Sequence, residues 1–251
     1  MKILNLLLLI ILLQATAFAQ SPQDKFQEAN TLYSEGKYSS AIDIYESLIN
    51  SNYQNAEIYF NLGNAYYKLD DVAYAILNYE RAKKLAPGDE DIDYNLRIAN
   101  LKTIDKIEPV PEFFLNEWWS DLVRFTDTCN WAYVFIASFW LAFLLLAGFY
   151  MAGSPTVKKL LFAIGTLGMA LSILIFVVSF QSEAIRTSES NGIVITPSTY
   201  VKSSPDEDAT DLFMLHQGAK LELIDKVGDW SKIKIANGNV GWLPSGSYLV
   251  I

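Results

Sequence analysis

The stretches WAYVFIASFWLAFLLLAGFY (residues 131–150) and LLFAIGTLGMALSILIFVVSF (residues 160–180) decide how this chain is organised. They are runs of 20 and 21 residues, and neither contains a charged side chain. At about 1.5 Å of rise per residue, about 20 helical residues cross the ~30 Å hydrocarbon layer of a bilayer. Between them, residues 151–159 include Gly153, Ser154, Pro155, Lys158 and Lys159, a polar loop. The spacing predicts a two-helix transmembrane hairpin, with helices over 131–150 and 160–180. A hairpin brings the chain back to the side it left. The segments before Trp131 and after Phe180 are therefore expected in one compartment. The alternative is a pair of buried core helices, and the lack of polar interruption argues against it.

The N-terminal residues 1–19 supply the direction. Lys2 precedes the apolar run Ile3–Leu13, and Ala17 and Ala19 place small residues at −3 and −1 before Gln20. That is the pattern of a cleaved secretory signal peptide. An uncleaved anchor is the alternative, although the apolar run is only about half of a span. Export of the N-terminal part makes the first span run inward and leaves loop 151–159 in the cytoplasm. Lys158 and Lys159 lie in that loop, as the preference for positive charge on the cytoplasmic side requires. Both soluble parts are then extracytoplasmic.

Composition excludes several functions. Acidic side chains number 28 against 19 basic ones, for a net charge of −9. Residues 20–110 carry −6 and residues 183–251 carry −3, so neither part offers a basic face to nucleic acid. A single cysteine, Cys129, rules out an intramolecular disulfide, and a single histidine, His216, rules out multi-histidine metal sites. There is no phosphate loop, no metal-ligand spacing and no nucleophile–base set, so no enzyme and no cofactor is expected. The run Asp206-Glu207-Asp208 reads as a solvated loop.

Residues 22–108 repeat. At an offset of 34, Ala29 matches Gly63, Asn30 matches Asn64, Tyr33 matches Tyr67, Ala41 matches Ala75 and Tyr45 matches Tyr79. The second copy, 56–89, carries Tyr59, Leu62, Gly63, Tyr66, Ala75, Tyr79, Ala82 and Pro87, and it resembles a tetratricopeptide repeat. Small residues at Gly63 and Ala75 suit two closely crossing helices, with tyrosines filling the space around them. The first copy, 22–55, is looser, with Leu48 and Tyr53 in place of Ala82 and Pro87. A capping helix is expected over 89–104, covering the stack with Ile92, Leu96 and Ala99. Such a stack presents a groove, here expected to be lined by Phe26, Asn30, Tyr33, Phe60, Asn64, Tyr67, Lys68 and Tyr94. The alternative for each is packing within the stack.

Past Pro109 and Pro111, residues 112–126 alternate aromatic and polar side chains. Phe113, Phe114, Leu115, Trp118 and Trp119 stand among Asn116, Glu117, Asp121 and Arg124. This segment reads as an amphipathic helix lying at the lipid headgroups, or else packed on the repeats. Beyond the spans, residues 192–251 change to a period of two, as in Lys220-Leu221-Glu222-Leu223 and Ser231-Lys232-Ile233-Lys234-Ile235. Asn237-Gly238 marks a tight hairpin. Together with Leu215-His216-Gln217-Gly218, Asp229-Trp230 and Gly241-Trp242, the segment resembles a bacterial SH3 domain. That likeness implies a long irregular loop between Val201 and His216. Tyr200, Trp230 and Trp242 are the candidate ligand-binding aromatics of the barrel; the alternative is that the tryptophans are partly core.

The expected fold class is therefore multidomain: an all-α tetratricopeptide repeat, a two-helix transmembrane hairpin and an all-β SH3-like small barrel. In this order the modules resemble the E-type proteins of the Bacteroides aerotolerance (Bat) operon. Tyr94-Asn95-Leu96, Phe113-Phe114-Leu115, Trp118-Trp119, Leu215-His216-Gln217-Gly218 and Gly241-Trp242 carry that likeness. It implies a multi-pass protein of the bacterial inner (cytoplasmic) membrane with both soluble domains in the periplasm. It also implies von Willebrand A domain membrane proteins as partners and, indirectly, a MoxR-type AAA+ ATPase. The implied role is a scaffold in a stress or aerotolerance complex, the alternative being a peptidoglycan-binding anchor. A reporter inserted at Ser154 is expected to behave as cytoplasmic; periplasmic alkaline phosphatase activity there would reverse the topology.

Overall fold

The computed structural model describes residues 21–111, 113–188 and 191–251. The expected signal peptide, 1–19, lies outside the described residues. The first described elements are helices α1 (Pro22–Ser34), α2 (Tyr38–Asn50), α3 (Ala56–Lys68), α4 (Val72–Leu85) and α5 (Glu90–Leu101). Side-chain caps set most of their starts. Ser21 accepts from the Asp24 amide and Asp24 returns the bond, closing a capping box ahead of α1. The side chains of Asn55, Asp71 and Asp89 accept from first-turn backbone amides and so cap α3, α4 and α5.

The helices stack as consecutive antiparallel pairs. One core joins α1, α2 and α3 through Phe26, Ala29, Ala41, Tyr45, Leu48, Ile58 and Leu62. A second joins α4 and α5 through Ala75, Ile76, Leu77, Tyr79, Leu96 and Ala99. Helices α3 and α4 approach closely where Gly63 faces Tyr79. A β-carbon built on Gly63 would lie 2.7 Å from the Tyr79 ring. That explains the small residue the repeat places there.

Helix α6 (Phe114–Arg124) leads into α7 (Thr128–Met151) and α8 (Pro155–Ser188). By length and composition α7 and α8 can each cross a membrane, and only 6% and 17% of their most apolar windows are buried within the protein. That outward apolar surface opposes the core-helix alternative. Helix α8 already begins at Pro155, so Lys158 and Lys159 belong to its first turns and the connection narrows to residues 152–154. The small residues of the second apolar stretch are where α7 and α8 touch. A β-carbon on Gly165 would meet Leu146 at 2.8 Å, and one on Gly168 would meet Ala142 at 3.3 Å. Ser172 is buried while Ala170 faces outward. Close approach of helices at small residues is the usual mode of packing in lipid. Helix α6 rests on the base of this pair. Trp119 donates from Nε1 to Gln181 Oε1 at 2.9 Å, and Trp131 Nε1 donates to the Val123 carbonyl at 3.3 Å. Phe113, Phe114, Leu115 and Trp118 remain exposed.

The C-terminal part is a sheet of seven antiparallel strands: β1 (Asn191–Val194), β2 (Ser198–Lys202), β3 (Asp211–His216), β4 (Lys220–Val227), β5 (Trp230–Lys234), β6 (Val240–Pro244) and β7 (Tyr248–Val250). They are ordered β3-β2-β6-β5-β4-β1-β7 and curl around Val194, Val201, Leu215, Leu221, Ile233, Ile235 and Leu243. The segment between Val201 and His216 is only partly irregular, because strand β3 occupies Asp211–His216 and pairs with β2.

The barrel is packed on the repeats. Ile193, Leu249 and Ile251 complete the core of α4 and α5. Lys220 pairs with Glu80 at 2.8 Å, and Arg81 donates to the Val250 carbonyl at 2.7 Å. Asp105 holds His216 twice, accepting from its backbone N–H at 2.7 Å and meeting its ring Nδ1 at 2.8 Å. Ile107 packs on the barrel core, and the Val110 amide donates to the Ala236 carbonyl at 3.1 Å. Substituting Gly63→Val forces a side chain against Tyr79 and is expected to destabilise the repeat domain by about 1–3 kcal/mol. Thermal unfolding followed by circular dichroism measures this; an unchanged transition would refute the close crossing.

Candidate functional site

The repeated asparagines and tyrosines form one hydrogen-bonded unit per repeat. In the first, Asn30 Oδ1 accepts from Tyr45 Oη at 2.6 Å and from Asn61 Nδ2 at 3.1 Å. In the second, Asn64 Oδ1 accepts from Tyr79 Oη at 2.8 Å and from Asn95 Nδ2 at 2.9 Å. Each oxygen thus ties three helices: α1, α2 and α3 in the first unit, α3, α4 and α5 in the second. Burial pushes the Tyr45 and Tyr79 phenols up from their ordinary value. Asn61 escaped sequence reasoning, and Asn95 entered it only as part of Tyr94-Asn95-Leu96, not as a groove residue. The signal was present, since they too stand 34 residues apart.

Beside the second unit is a cleft of about 300 Å³ lined by Tyr33, Asn64, Tyr67, Lys68, Tyr79, Asn95 and Ile98. The structure therefore brings together Tyr33, Asn64, Tyr67 and Lys68 of the expected groove. Asn30 lies one repeat away in the first unit. Phe60 is half-buried, with its ring 5.9 Å from that of Tyr79. Tyr94 is exposed and outside the cleft. Phe26 is not a groove residue at all. It is buried in the first core with its ring 6.1 Å from that of Tyr45, because its position on α1 faces α2. At the rim, Lys102 meets Asp70 at 2.6 Å and lies 4.4 Å from the centre of the Tyr67 ring. The bond to Asp70 holds the Lys102 ammonium above its ordinary range.

On the barrel, alternation sorts the side chains. Ser231, Ile233, Gly241, Leu243 and Val201 are buried, which turns Trp230, Lys232, Trp242, Pro244, Tyr200 and Lys202 to the other face. Trp242 is flanked in register by Lys202 on β2 and Lys232 on β5, and Trp230 stands opposite Pro244. The Lys232 ammonium lies 6.0 Å from the Trp242 ring centre. Lys202 is committed, donating to the Glu207 and Ala209 carbonyls and to Asp211 at 2.7, 3.2 and 2.9 Å. Tyr200, Trp230 and Trp242 therefore share one face. Tyr200 is more than half exposed, while both tryptophans are partly covered.

Residues 197–250 match the family model for the bacterial SH3 domain. Residues 29–70 match a model described as TPR repeat, and residues 56–89 match the tetratricopeptide repeat model. The chain carries tetratricopeptide repeats and a bacterial SH3 domain. No curated protein matches it. Both kinds of module support binding of other proteins or of peptidoglycan.

The buried tyrosines make the repeats sensitive to alkali. Tyr45 and Tyr79 ionise in the unfolded chain near their ordinary value of 10.0, whereas folding holds them neutral to higher pH. Their contribution is complete below about pH 10 and declines above it, where the unfolded state releases protons that the folded state keeps. Tyrosinate absorbance of these two residues should therefore rise together with loss of helical circular dichroism. Ionisation of both in a fully helical protein would contradict their burial.

Proposed function

We propose that this protein is a membrane-tethered, non-enzymatic interaction scaffold. Its hairpin sits in the bacterial inner membrane, and it presents the tetratricopeptide groove and the SH3 barrel on the extracytoplasmic side. The observation that carries this reading is the buried joint between the two modules, Ile193, Leu249 and Ile251 against α4. Two adaptor modules locked together above a pair of apolar helices suit the assembly of partners at a membrane better than independent tethering does. The expected position of Lys158 and Lys159 on the cytoplasmic side supports the orientation. The exposed aromatics of α6 support its placement among headgroups, with Trp119 anchored to Gln181.

By its likeness to the E-type Bat proteins, the scaffold belongs to a stress or aerotolerance complex. Its partners are then membrane proteins with von Willebrand A domains, linked through them to a MoxR-type ATPase. A second reading, a peptidoglycan-binding anchor, is favoured by one observation, the aromatic face formed by Tyr200, Trp230 and Trp242. One pair of measurements separates the two. A photo-crosslinking amino acid at Tyr67 in the membrane-embedded protein should capture a von Willebrand A domain protein. The full chain in detergent should pass over insoluble cell wall without retention. Wall retention abolished by Trp242→Ala, with no cross-link from position 67, would establish the anchor instead.

A further inference from the structure

The 34-residue offset relates α1, α3 and α5 position by position. Phe26, Phe60 and Tyr94 correspond, as do Ala29, Gly63 and Arg97, and Tyr33, Tyr67 and Leu101. In α1 and α3 these positions face the second helix of the pair. Phe26 sets its ring 6.1 Å from that of Tyr45 on α2, and Tyr33 sets its ring 5.3 Å from that of Tyr38. Phe60 lies 5.9 Å from the Tyr79 ring of α4, and a β-carbon on Gly63 would lie 2.7 Å from the same ring. Helix α5 is thus the first helix of a third pair, and no second helix follows it. The chain instead runs on as the segment that carries Asp105, Ile107 and Val110 to the barrel, and α6 lies against α8. The corresponding face of α5 is left bare. Tyr94 is 56% exposed, Leu101 73%, and Ile104, just beyond the helix, 65%. Spacings of three and four put positions 94, 97 and 101 on one side of the helix. The end of a repeat stack ordinarily turns a polar face to water. Here an aromatic and an aliphatic side chain stand where the other two pairs bury theirs.

We propose that this face of α5 docks an amphipathic helix of a partner protein, antiparallel to α5 and carrying a carboxylate opposite Arg97. None of Tyr94, Arg97 and Leu101 lines the cleft, so the surface is separate from the groove and goes beyond the reading given above. The form and direction of the occupant follow from the two complete pairs, in which the same face receives an antiparallel helix. The carboxylate follows from Arg97. Ala29 and Gly63 are small and let α2 and α4 come into contact, whereas Arg97 puts a guanidinium at that place, and it stays charged at any ordinary pH. Arg97 is exposed and has no side-chain partner among the described residues. Covering it without a counter-charge would bury an unpaired cation, which is strongly unfavourable, so the incoming helix supplies the anion. A second copy of α5 does not meet this demand. Setting Tyr94 of one copy against Leu101 of the other brings the two Arg97 side chains together, and like charges repel.

The test places a photo-crosslinking amino acid singly at Tyr94, Leu101 and Tyr67 of the full chain in its own cells. The residues each one attaches to are mapped by mass spectrometry. Positions 94 and 101 should attach to one segment of one partner, at residues about seven apart, the length of two helical turns. Their order should be reversed, the residue reached from 101 preceding the one reached from 94. The spacing and the order, rather than the capture, carry the result. Arg97→Glu should lower the yield from position 101 about tenfold or more, the scale of a broken interfacial charge pair. It should leave the yield from Tyr67 and the thermal transition unchanged, and exchanging the partner's acidic residue for Lys should restore the lost yield. Attachment at alternate residues or at scattered segments would overturn the helical occupant. Attachment to lipid or to another copy of this chain would overturn the partner, and indifference to Arg97→Glu would overturn the charge pair. Attachment from Tyr67 alone would overturn the α5 site and leave the groove reading standing; none from any of the three would overturn both. Should Arg97→Glu fail to fold, the mapped spacing and order decide, because Tyr94 and Leu101 are exposed and their replacement disturbs no core.

Discussion

Helix α4 is packed from both sides, and the structure of the repeats and the barrel depends on that. Its Ala75 and Tyr79 meet α3 at Gly63 and Asn64. Its Ile76 and Leu77 share a core with Leu96 and Ala99 of α5 and with Ile193 of the barrel. Glu80, Arg81 and Lys84 reach Lys220, the Val250 carbonyl and the Ile251 carbonyl. A helix in a short repeat stack ordinarily leaves one face to water. Here that face is covered by the SH3 barrel, which supplies apolar burial that two repeats and a capping helix lack on their own.

This joint changes how the hairpin of α7 and α8 relates to the two modules. Were the barrel free on a linker, the hairpin would tether two independent modules. With β1 and β7 locked on α4, the segment that leaves α5 and the strand that follows α8 both belong to one packed body. Asp105 and Val110 tie the outgoing segment to the barrel, and Trp119 ties α6 to the base of α8. The groove and the aromatic barrel face thereby hold a fixed relation to each other. The α7–α8 contact is made at Gly165 and Gly168.

Much of this was legible in the residues because its causes are local or periodic. Helical spacing, the 34-residue repeat, the alternation after residue 219 and the uncharged spans each depend on neighbours within a turn, a repeat or a strand. The groove was half legible. Tyr33, Asn64, Tyr67 and Lys68 converge as their spacing suggested, while Phe26 turned inward, Asn61 went unnoticed and Asn95 was not read as a groove residue. Whether a residue on an amphipathic helix faces groove or core depends on how neighbouring helices are rotated, and one helix does not encode that.

The sequence by itself determined the modules and their order: helical repeats, an aromatic helix, two apolar helices and a small barrel. Only the tertiary structure decided that the barrel docks on α4 and that His216 binds Asp105. It also decided that Asn30 and Asn64 spend their oxygens holding three helices together. The reason is physical. Periodicity reports which side chains seek burial, but the partners that bury them lie more than a hundred residues away, as Glu80 does from Lys220. Nothing in the local pattern of either segment names the other.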